Sequence, residues 1–452
     1  MRLPAHPIAH VGVIGGGITG LTAAYRLARI GYRVTLWESS DEFGGLAAAF
    51  EVPGGYLEKF YHHLFMSDRA IVALANEIGV GHTLRWLPSQ NSYFSDGRIY
   101  SLASPMDLLK LPVVPFIDRI RIGLVTLYLQ HIPSIDERWH ALERVTAAEW
   151  LRKYMGERAF NRTLGAQLRA KFGPRADEIA MVWFWNKIYL RTQSRPGILG
   201  QERLGYFDGS FRVFTDALVE AARREGASLH LHTPVRSVEP RQGGRSFTLD
   251  VGGERVQVDA LVATTPAPLL ARLVPSLPED YRAKLTGTRY QGAACVLLRM
   301  DRKLTDSYWL NIADSRLPFT VVVEHTNFIG PEHCGGNHYL YVNTYVEPDH
   351  RYLAMPEDEL LEEYLRYLPE LNPDFSPDWV RESWVFRTPA AQPIIGLNHR
   401  ERMPSHRAPI PGLYLATMSQ IYPEDRGTNY AVALGEKIAN ILDEDFSPRR
   451  AS

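Results

Sequence analysis

The sequence predicts an α/β protein built on a Rossmann-like dinucleotide-binding unit, and three observations near its start predict it. Residues 11–38 read VGVIGGGITGLTAAYRLARIGYRVTLWE. A short apolar run (Val11, Val13, Ile14) meets the glycine turn Gly15-x-Gly17-x-x-Gly20. A segment of helical period follows, with Leu21, Ala24 and Leu27 on one face and Gly31 as its stop. A second apolar run, Val34 to Trp37, then ends on an acid, Glu38. Strand, glycine turn, helix, strand and terminal carboxylate stand in the order that a dinucleotide site requires.

Each piece has a physical task. Gly15 permits the tight turn out of the strand, Gly17 lets a pyrophosphate approach the backbone, and Gly20 lets the helix pack close to the sheet. The first helical residues, Ile18 and Thr19, with Gly20, offer unpaired N–H groups and a positive dipole end to the phosphates. Glu38, with Ser39 beside it, falls where ribose hydroxyls are bound. An acid there disfavours a 2′-phosphate, so this stretch alone points to FAD or NAD rather than NADP.

The whole chain has the composition of an ordinary soluble globular protein. Its 452 residues are enough for two or three domains with sizeable cores, and 45% are apolar and 22% charged. A formal net charge of −1 gives no basic field for nucleic acid or an anionic membrane. Two cysteines, Cys295 and Cys334, make neither a disulfide framework nor a zinc site, no metal is expected, and a reducing, cytoplasmic setting is. No signal peptide is read at the N-terminus, and no run of 18 uncharged apolar residues predicts a membrane span.

After Glu38 comes Gly44-Gly45-Leu46, where a double glycine brings backbone N–H groups to the same pyrophosphate. With these residues the chain resembles the FAD-dependent amine oxidase and protoporphyrinogen oxidase-like superfamily, which includes the phytoene desaturases. The resemblance implies FAD as cofactor and an α/β fold of the glutathione-reductase and amine-oxidase type. Its members often carry an arginine after the pair; Leu46 stands there instead, which argues against a typical amine oxidase but not against flavin.

Residues 54–68, GGYLEKFYHHLFMSD, concentrate Glu58, Lys59, Tyr61, His62 and His63. In the superfamily this region lies against the isoalloxazine ring. His63-Leu64-Phe65-x-Ser67-Asp68 is also similar to the histidine segment of UDP-galactopyranose mutases. Histidine is the side chain most readily switched near neutral pH. The resemblance therefore implies Lys59, His62 and His63 as candidates for proton handling or polarisation near flavin N5.

A helical pattern follows at Ile71, Leu74, Ala75 and Ile78, and Asn91 to Leu102 predicts a hairpin around Asp96-Gly97. Phe116 to Gln130 predicts an amphipathic helix with Phe116, Ile117, Ile120, Leu124, Leu127 and Tyr128 on one face. Such a face is usually core; the alternative is a lip dipping into a membrane beside a lipid substrate. Ala147 to Phe172 continues helical. Met181 to Tyr189 packs Trp183, Phe184, Trp185 and Tyr189 together with Asn186, Lys187, Arg191, Gln193 and Arg195 nearby, so the segment up to Gly200 is a candidate wall of the substrate site.

From Gly205 a turn, a helix through Phe214 and Leu218, and strands at Ser228–Leu231 and Val235–Val238 return the chain to the nucleotide unit. In the superfamily the residue matching Val235 binds adenine through its backbone. Ala260 to Pro266 is a buried strand and small-residue turn similar to the family's A-T/A-x-P segment, which places Thr264 beside the cofactor. Strands at Ala293–Met300, Phe319–Val323 and Tyr339–Tyr345 suggest, with the earlier hairpin, a sheet that covers the substrate. A helix at Pro356–Tyr367 and a strand at Trp384–Arg387 precede the last return. There Leu413–Ala416 is a strand, and a helix starts near Thr428 with Gly427, Thr428 and Asn429 at its N-terminus. The resemblance aims this helix at the flavin N1–O2 edge. The family's usual Gly-Asp after the strand is missing, and Asp425-Arg426 lie just before the helix instead.

The expected organisation is an FAD-binding domain from 1–60, 201–274 and 391–452, with an α+β substrate domain inserted in two pieces, 61–200 and 275–390. One dinucleotide fingerprint and no cysteine pair exclude a disulfide-reductase plan. The leading expectation is an FAD-dependent oxidoreductase that dehydrogenates a small organic substrate by hydride transfer to flavin N5. The alternative is an isomerase resembling UDP-galactopyranose mutase, with Arg169, Arg191 and Arg387 as candidates for a nucleotide-sugar pyrophosphate. A flavin-binding protein without catalysis ranks last. The substrate stays open between lipid-like molecules and nucleotide sugars, with peripheral membrane contact but no span.

Overall fold

The computed structural model describes residues 9–102, 107, 110–132, 137–194, 201–241 and 246–447. Arg195 and Gly200, read above as part of a substrate wall, lie outside them. The chain opens with β1 (His10–Ile14), α1 (Ile18–Arg29) and β2 (Arg33–Trp37). Helix α1 buries Leu21, Ala24 and Leu27, as its period dictates, and ends where Gly31 takes a φ of 102°. Arg26 in its last turn bridges Glu77 and Glu436, both at 2.5 Å, and so ties together three helices.

Next come the hairpin β3 (Ala49–Val52) and β4 (Gly55–Glu58), then β5 (Leu64–Phe65), α2 (Arg69–Glu77) and β6 (Leu84–Pro88). The expected hairpin forms as β7 (Asn91–Ser95) and β8 (Arg98–Ser101), with Asp96 and Gly97 both at positive φ. A helical layer follows: α3 (Phe116–Gln130), α4 (Ala147–Met155), α5 (Glu157–Arg162), α6 (Leu164–Phe172) and α7 (Met181–Gln193). The helical run expected over 147–172 forms as three helices. Thr146 and Glu149 form a capping box that starts α4, Gly156 at φ 87° ends it, and Thr163 breaks α5 from α6.

The chain returns through β9 (Arg203–Phe207), α8 (Phe211–Arg224), β10 (Ser228–His230), the meander β11 (Val235–Pro240), β12 (Phe247–Val251) and β13 (Glu254–Val258), and β14 (Ala260–Ala263). Helices α9 (Ala267–Leu273) and α10 (Glu279–Thr286) lead to β15 (Tyr290–Met300), β16 (Trp309–Ile312), β17 (Val321–Glu324) and β18 (His338–Val346). After α11 (Glu357–Leu365) and β19 (Val380–Pro393), the chain ends with β20 (Leu413–Leu415) and α12 (Thr428–Phe446).

Two sheets position the site. A parallel sheet of order β10-β2-β1-β14-β20 draws its strands from four separated stretches of chain. Its central strand β1 pairs with both β2 and β14, and β14 is buried throughout, as a sheet covered on both faces demands. A seven-stranded sheet of order β19-β15-β18-β17-β16-β7-β8 takes in the early hairpin through a parallel β16–β7 pair. Strand β15 is buried on both faces: Cys295 and Leu297 join the core that holds α1, whereas Ala294, Val296 and Leu298 pack toward Leu360 and Tyr364 of α11.

Helix α3 departs from the expectation that its apolar face is core. Phe116, Ile117 and Leu124 are each more than 60% exposed, and Ile120, Leu127 and Tyr128 are exposed too. The inward stripe is Ile122, Val125 and Leu129, which packs with Leu151 and Trp185. Apolar residues surround most of this helix, so periodicity could not choose the buried side. Among the described residues, no helix is long and apolar enough to cross a membrane, and no cluster of ligating side chains could hold a metal.

Candidate active site

The nucleotide end is built on the turn between β1 and α1. Gly15 has φ 105°, and a Cβ on Gly20 would drive into the Gly15 carbonyl oxygen, so the helix touches the turn only because both lack side chains. No side chain caps α1. Its first intrahelical donor is Leu21, bonded to the Gly17 carbonyl at 3.0 Å, so the amides of Ile18, Thr19 and Gly20 have no helical acceptor. Above them Gly44 donates to the Gly16 carbonyl (2.9 Å) and bridges Gly17. The double glycine therefore folds over the glycine turn, and Leu46 follows it into the wall of a large cavity.

Glu38 closes this end. Its carboxylate accepts from the amides of Gly16 (2.6 Å) and Ser40 (2.8 Å) and from the exposed hydroxyls of Ser39 and Ser40. The serine hydroxyls can rotate away, which leaves acceptor sites for a ribose. His232 and Thr233 donate backbone bonds to the carbonyls of Ser40 and Glu38, which sets Val235, the first residue of β11, close by. Thr264 works from behind: its hydroxyl donates to the carbonyls of Ile14 (2.9 Å) and Gly15 (3.2 Å), fixing the turn.

At the other end α12 also begins without a side-chain cap. Ala431 bonds to the Gly427 carbonyl at 2.9 Å, so the amides of Thr428, Asn429 and Tyr430 lack helical acceptors. Gly427, Thr428 and Tyr430 line the cavity. Asn429 turns elsewhere: its side-chain oxygen accepts from the amides of Ala70 and Ile71 and so caps α2. Two uncapped helix starts, a glycine cradle and a ribose-side carboxylate are the donor and acceptor set that a dinucleotide needs, and these residues fit FAD.

The cavity has a volume of about 420 Å³, within the range of small-molecule sites. His62 and His63 both line it and keep some accessible surface only because they face it. His62 Nδ1 lies 2.6 Å from the Phe60 carbonyl, and His63 Nδ1 lies 3.0 Å from the Tyr308 hydroxyl. Burial lowers their pKa values to about 4 and about 3, with Arg191 adding to the effect on His63. With these values both stand as neutral imidazoles at pH 7. Lys59, expected with them, does not line the cavity: its ammonium pairs with Glu42 and lies 6.0 Å from the centre of the Phe386 ring. Glu58 is fully buried, accepting from the Tyr206 hydroxyl and the Phe211 amide, and burial raises its pKa to about 7. It anchors β4 to α8.

The opposite wall comes from α6, α7 and the segment before α12. Trp183, Phe184 and Lys187 of α7 face the cavity, whereas Trp185 is fully buried against Trp139. Asp425 accepts from Trp183 Nε1 (2.8 Å), and its other oxygen pairs with Lys187. Burial opposes its ionisation, but Lys187, Lys171 and Arg426 outweigh that and hold its pKa near about 2. Of the three arginines considered for a pyrophosphate, only Arg191 lines the cavity. Arg169 bonds to Asn161, and Arg387 donates to the carbonyls of Tyr352 and Met355. Sequence reasoning missed Lys171, Asn343 and Tyr345 as cavity residues. Lys171 read as one more charge on a helix, and only the pairing of β18 with its neighbours shows which side chains of that strand face inward.

Comparison with known proteins decides the family. The model for flavin-containing amine oxidoreductases matches residues 18–424. The chain belongs to that family. It is an FAD-dependent oxidoreductase. The 15-cis-phytoene desaturase of Glycine max is 24% identical over 444 residues, covering 91% of this chain and 75% of the relative. A solved structure assigned as a protoporphyrinogen oxidase, from Exiguobacterium sp. 255-15, superposes with a TM-score of 0.78 at 16% identity, covering 98% of this chain and all of its own. Reduced UDP-galactopyranose mutase gives a TM-score of 0.70 at 16% identity, with 98% and 97% covered. At these identities the two structures speak for the fold alone.

Proposed function

We propose that this flavoprotein dehydrogenates a small organic molecule held in the cavity between α7, the seven-stranded sheet and the start of α12. The chemistry that bound FAD supplies is acceptance of a hydride at N5 from a substrate C–H bond. The amides of Ile18, Thr19 and Gly20, with Gly15, Gly17, Gly44 and Gly45, bind the pyrophosphate; Glu38 and Ser39 take the ribose, and Val235 the adenine. Thr264 holds the turn. Gly427, Thr428 and the Asn429 amide set a positive helix end toward the electron-rich edge of the ring. His63, with Nδ1 engaged by Tyr308, has Nε2 left to orient a substrate as a neutral imidazole, and His62 and Leu46 flank it. Aromatic side chains such as Phe184 and Trp309 exclude water. On this reading 1–60, 201–274 and 391–452 carry the cofactor, and 61–200 and 275–390 the substrate.

The observation that carries the proposal is that one cavity joins the uncapped start of α12 to the His62–His63 segment. Purified protein should bind FAD and be yellow, and one class among amines, polyprenoids, porphyrinogens or other small substrates should bleach it without oxygen. Colour that persists with all of them counts against the proposal. An isomerase acting on a nucleotide sugar is the second reading, favoured by Arg191 in the cavity wall; it requires activity only after dithionite reduction, with no net redox change. Peripheral membrane contact is part of the proposal too. The exposed apolar side of α3 suits a lipid surface, and Arg121 and Arg158, which share Asp118 as counter-charge, stand beside it.

A further inference from the structure

Four cationic side chains line the cavity: Lys171 on α6, Lys187 and Arg191 on α7, and Arg426 before α12. Two of them are balanced. Lys187 pairs with Asp425, and Arg191 lies 3.6 Å from the fully buried Glu202. The other two are not. Among the described residues the Lys171 ammonium has no carboxylate and no hydrogen-bond acceptor. It lies over aromatic rings instead, 5.0 Å from the centre of Trp183 and 4.9 Å from that of Tyr345. Arg426 donates from Nη2 to the Tyr345 hydroxyl at 3.1 Å, and its Nε is buried without a partner.

Asp425 lies near enough for both to favour its ionised form, but it bonds to neither. One of its oxygens serves Trp183 and Gln392 (3.2 Å), and the other serves Lys187. Asp68, the other carboxyl on the cavity wall, has its pKa raised to about 7 by burial and bonds back to the Phe65 amide. Lys171 and Arg426 thus share one residue, Tyr345, as a common shelf, and neither makes a salt bridge among the described residues. Burying a charge is costly unless something pairs with it, and two such cations on one wall are a site that an anion completes. Burial already holds the Lys171 pKa well below its usual value, which an approaching anion would reverse.

We infer that the substrate carries an anionic group, a carboxylate or a phosphate, bound between Lys171 and Arg426 on Tyr345. This rests on the oxidoreductase reading of the same cavity and narrows it: a substrate whose positive ammonium must enter this wall is disfavoured, whatever the family's name. Arg426 adjoins the cofactor's helix, so Lys171 is the side chain that separates substrate binding from flavin binding.

The test is calorimetric titration of the FAD-loaded protein with benzoate, phenyl phosphate, benzamide and benzylamine, which share a ring and differ in charge. The anions should bind at least about tenfold tighter than benzamide, and benzylamine weakest, as charge-assisted hydrogen bonds require. Whichever anion binds tighter assigns the headgroup as carboxylate or phosphate. K171M and K171Q should cost the anions about tenfold or more without changing benzamide affinity, and K171R should restore them. Anions that bind no tighter than benzamide, or not at all, or equally well to both Lys171 variants, overturn the inference. Flavin colour is read separately in the same samples, so loss of FAD binding speaks against the oxidoreductase reading and not against the anion site.

Discussion

Asp425→Asn is the most informative single change, because it removes one charge while keeping the shape of the cavity wall. In the native protein Lys187, Lys171 and Arg426 hold the carboxyl at about 2, against 3.8 for a free aspartate, despite full burial. That difference corresponds to about 2 kcal/mol of stability at neutral pH. A depressed folded-state pKa means that the contribution is complete above about pH 4 and is lost as pH falls toward about 2. The asparagine keeps acceptors for Trp183 and Gln392 but leaves Lys187 without its counter-charge. Wild-type protein should therefore melt a few degrees above D425N at pH 7, and the gap should narrow steadily between pH 4 and pH 2. Thermal melts of both proteins across this range check it. Other carboxylates titrate there too, but they titrate in both proteins, and the difference isolates Asp425. Parallel curves, or a variant as stable as wild type at pH 7, would refute the reasoning.

Three further outcomes follow from the geometry. Gly20→Ala places a methyl group against the Gly15 carbonyl and should cost about 1–3 kcal/mol and most of the bound FAD; flavin absorbance after gel filtration measures it, and full retention would contradict the cradle. His63→Ala should leave FAD bound and lower turnover by at least about tenfold. Because His63 is already neutral above a pKa of about 3, it should add no inflection to the rate profile between pH 5 and 8, so a wild-type inflection there that H63A abolishes would sink the neutral assignment. Replacing Phe116 and Leu124 by aspartate should abolish sedimentation with anionic phospholipid vesicles while leaving flavin content unchanged; equal sedimentation of variant and parent would remove the lipid role of α3.

Much of the fold was legible because local rules govern it. The glycine turn, the hairpin at Asp96-Gly97 and the start of α12 depend on positive φ, on turn chemistry and on period, all of which act over a few residues. Where period was ambiguous, the reading failed. Helix α3 carries apolar residues on nearly every side, and only its packing on Trp185 and Leu151 selected Ile122, Val125 and Leu129 as the inner stripe. The helical run over 147–172 broke at Gly156 and Thr163 because α5 and α6 must turn to pack.

The site divided along the same line. The strand, glycine turn, helix and strand from Val11 to Glu38 were legible in the sequence, since each depends on near neighbours along the chain. The sequence also set His62 and His63 side by side; that both line the cavity, and as neutral imidazoles, it did not show. Their neutrality comes from burial, His63 among Phe65, Tyr308 and Trp309 and His62 beside Phe211, neighbours that only the folded chain brings together. Lys59, one residue from Phe60 in the cavity wall, went to Glu42 instead. Tertiary structure alone decided the electrostatic character of the cavity. Lys171, Lys187, Tyr345 and Arg426 come from two helices, one strand and the segment before α12, and a formal net charge of −1 for the whole chain gives no sign of two cations without a salt bridge on a single wall. Charge in water is a property of composition; charge at an interior surface is set by which partners the fold supplies and which it withholds.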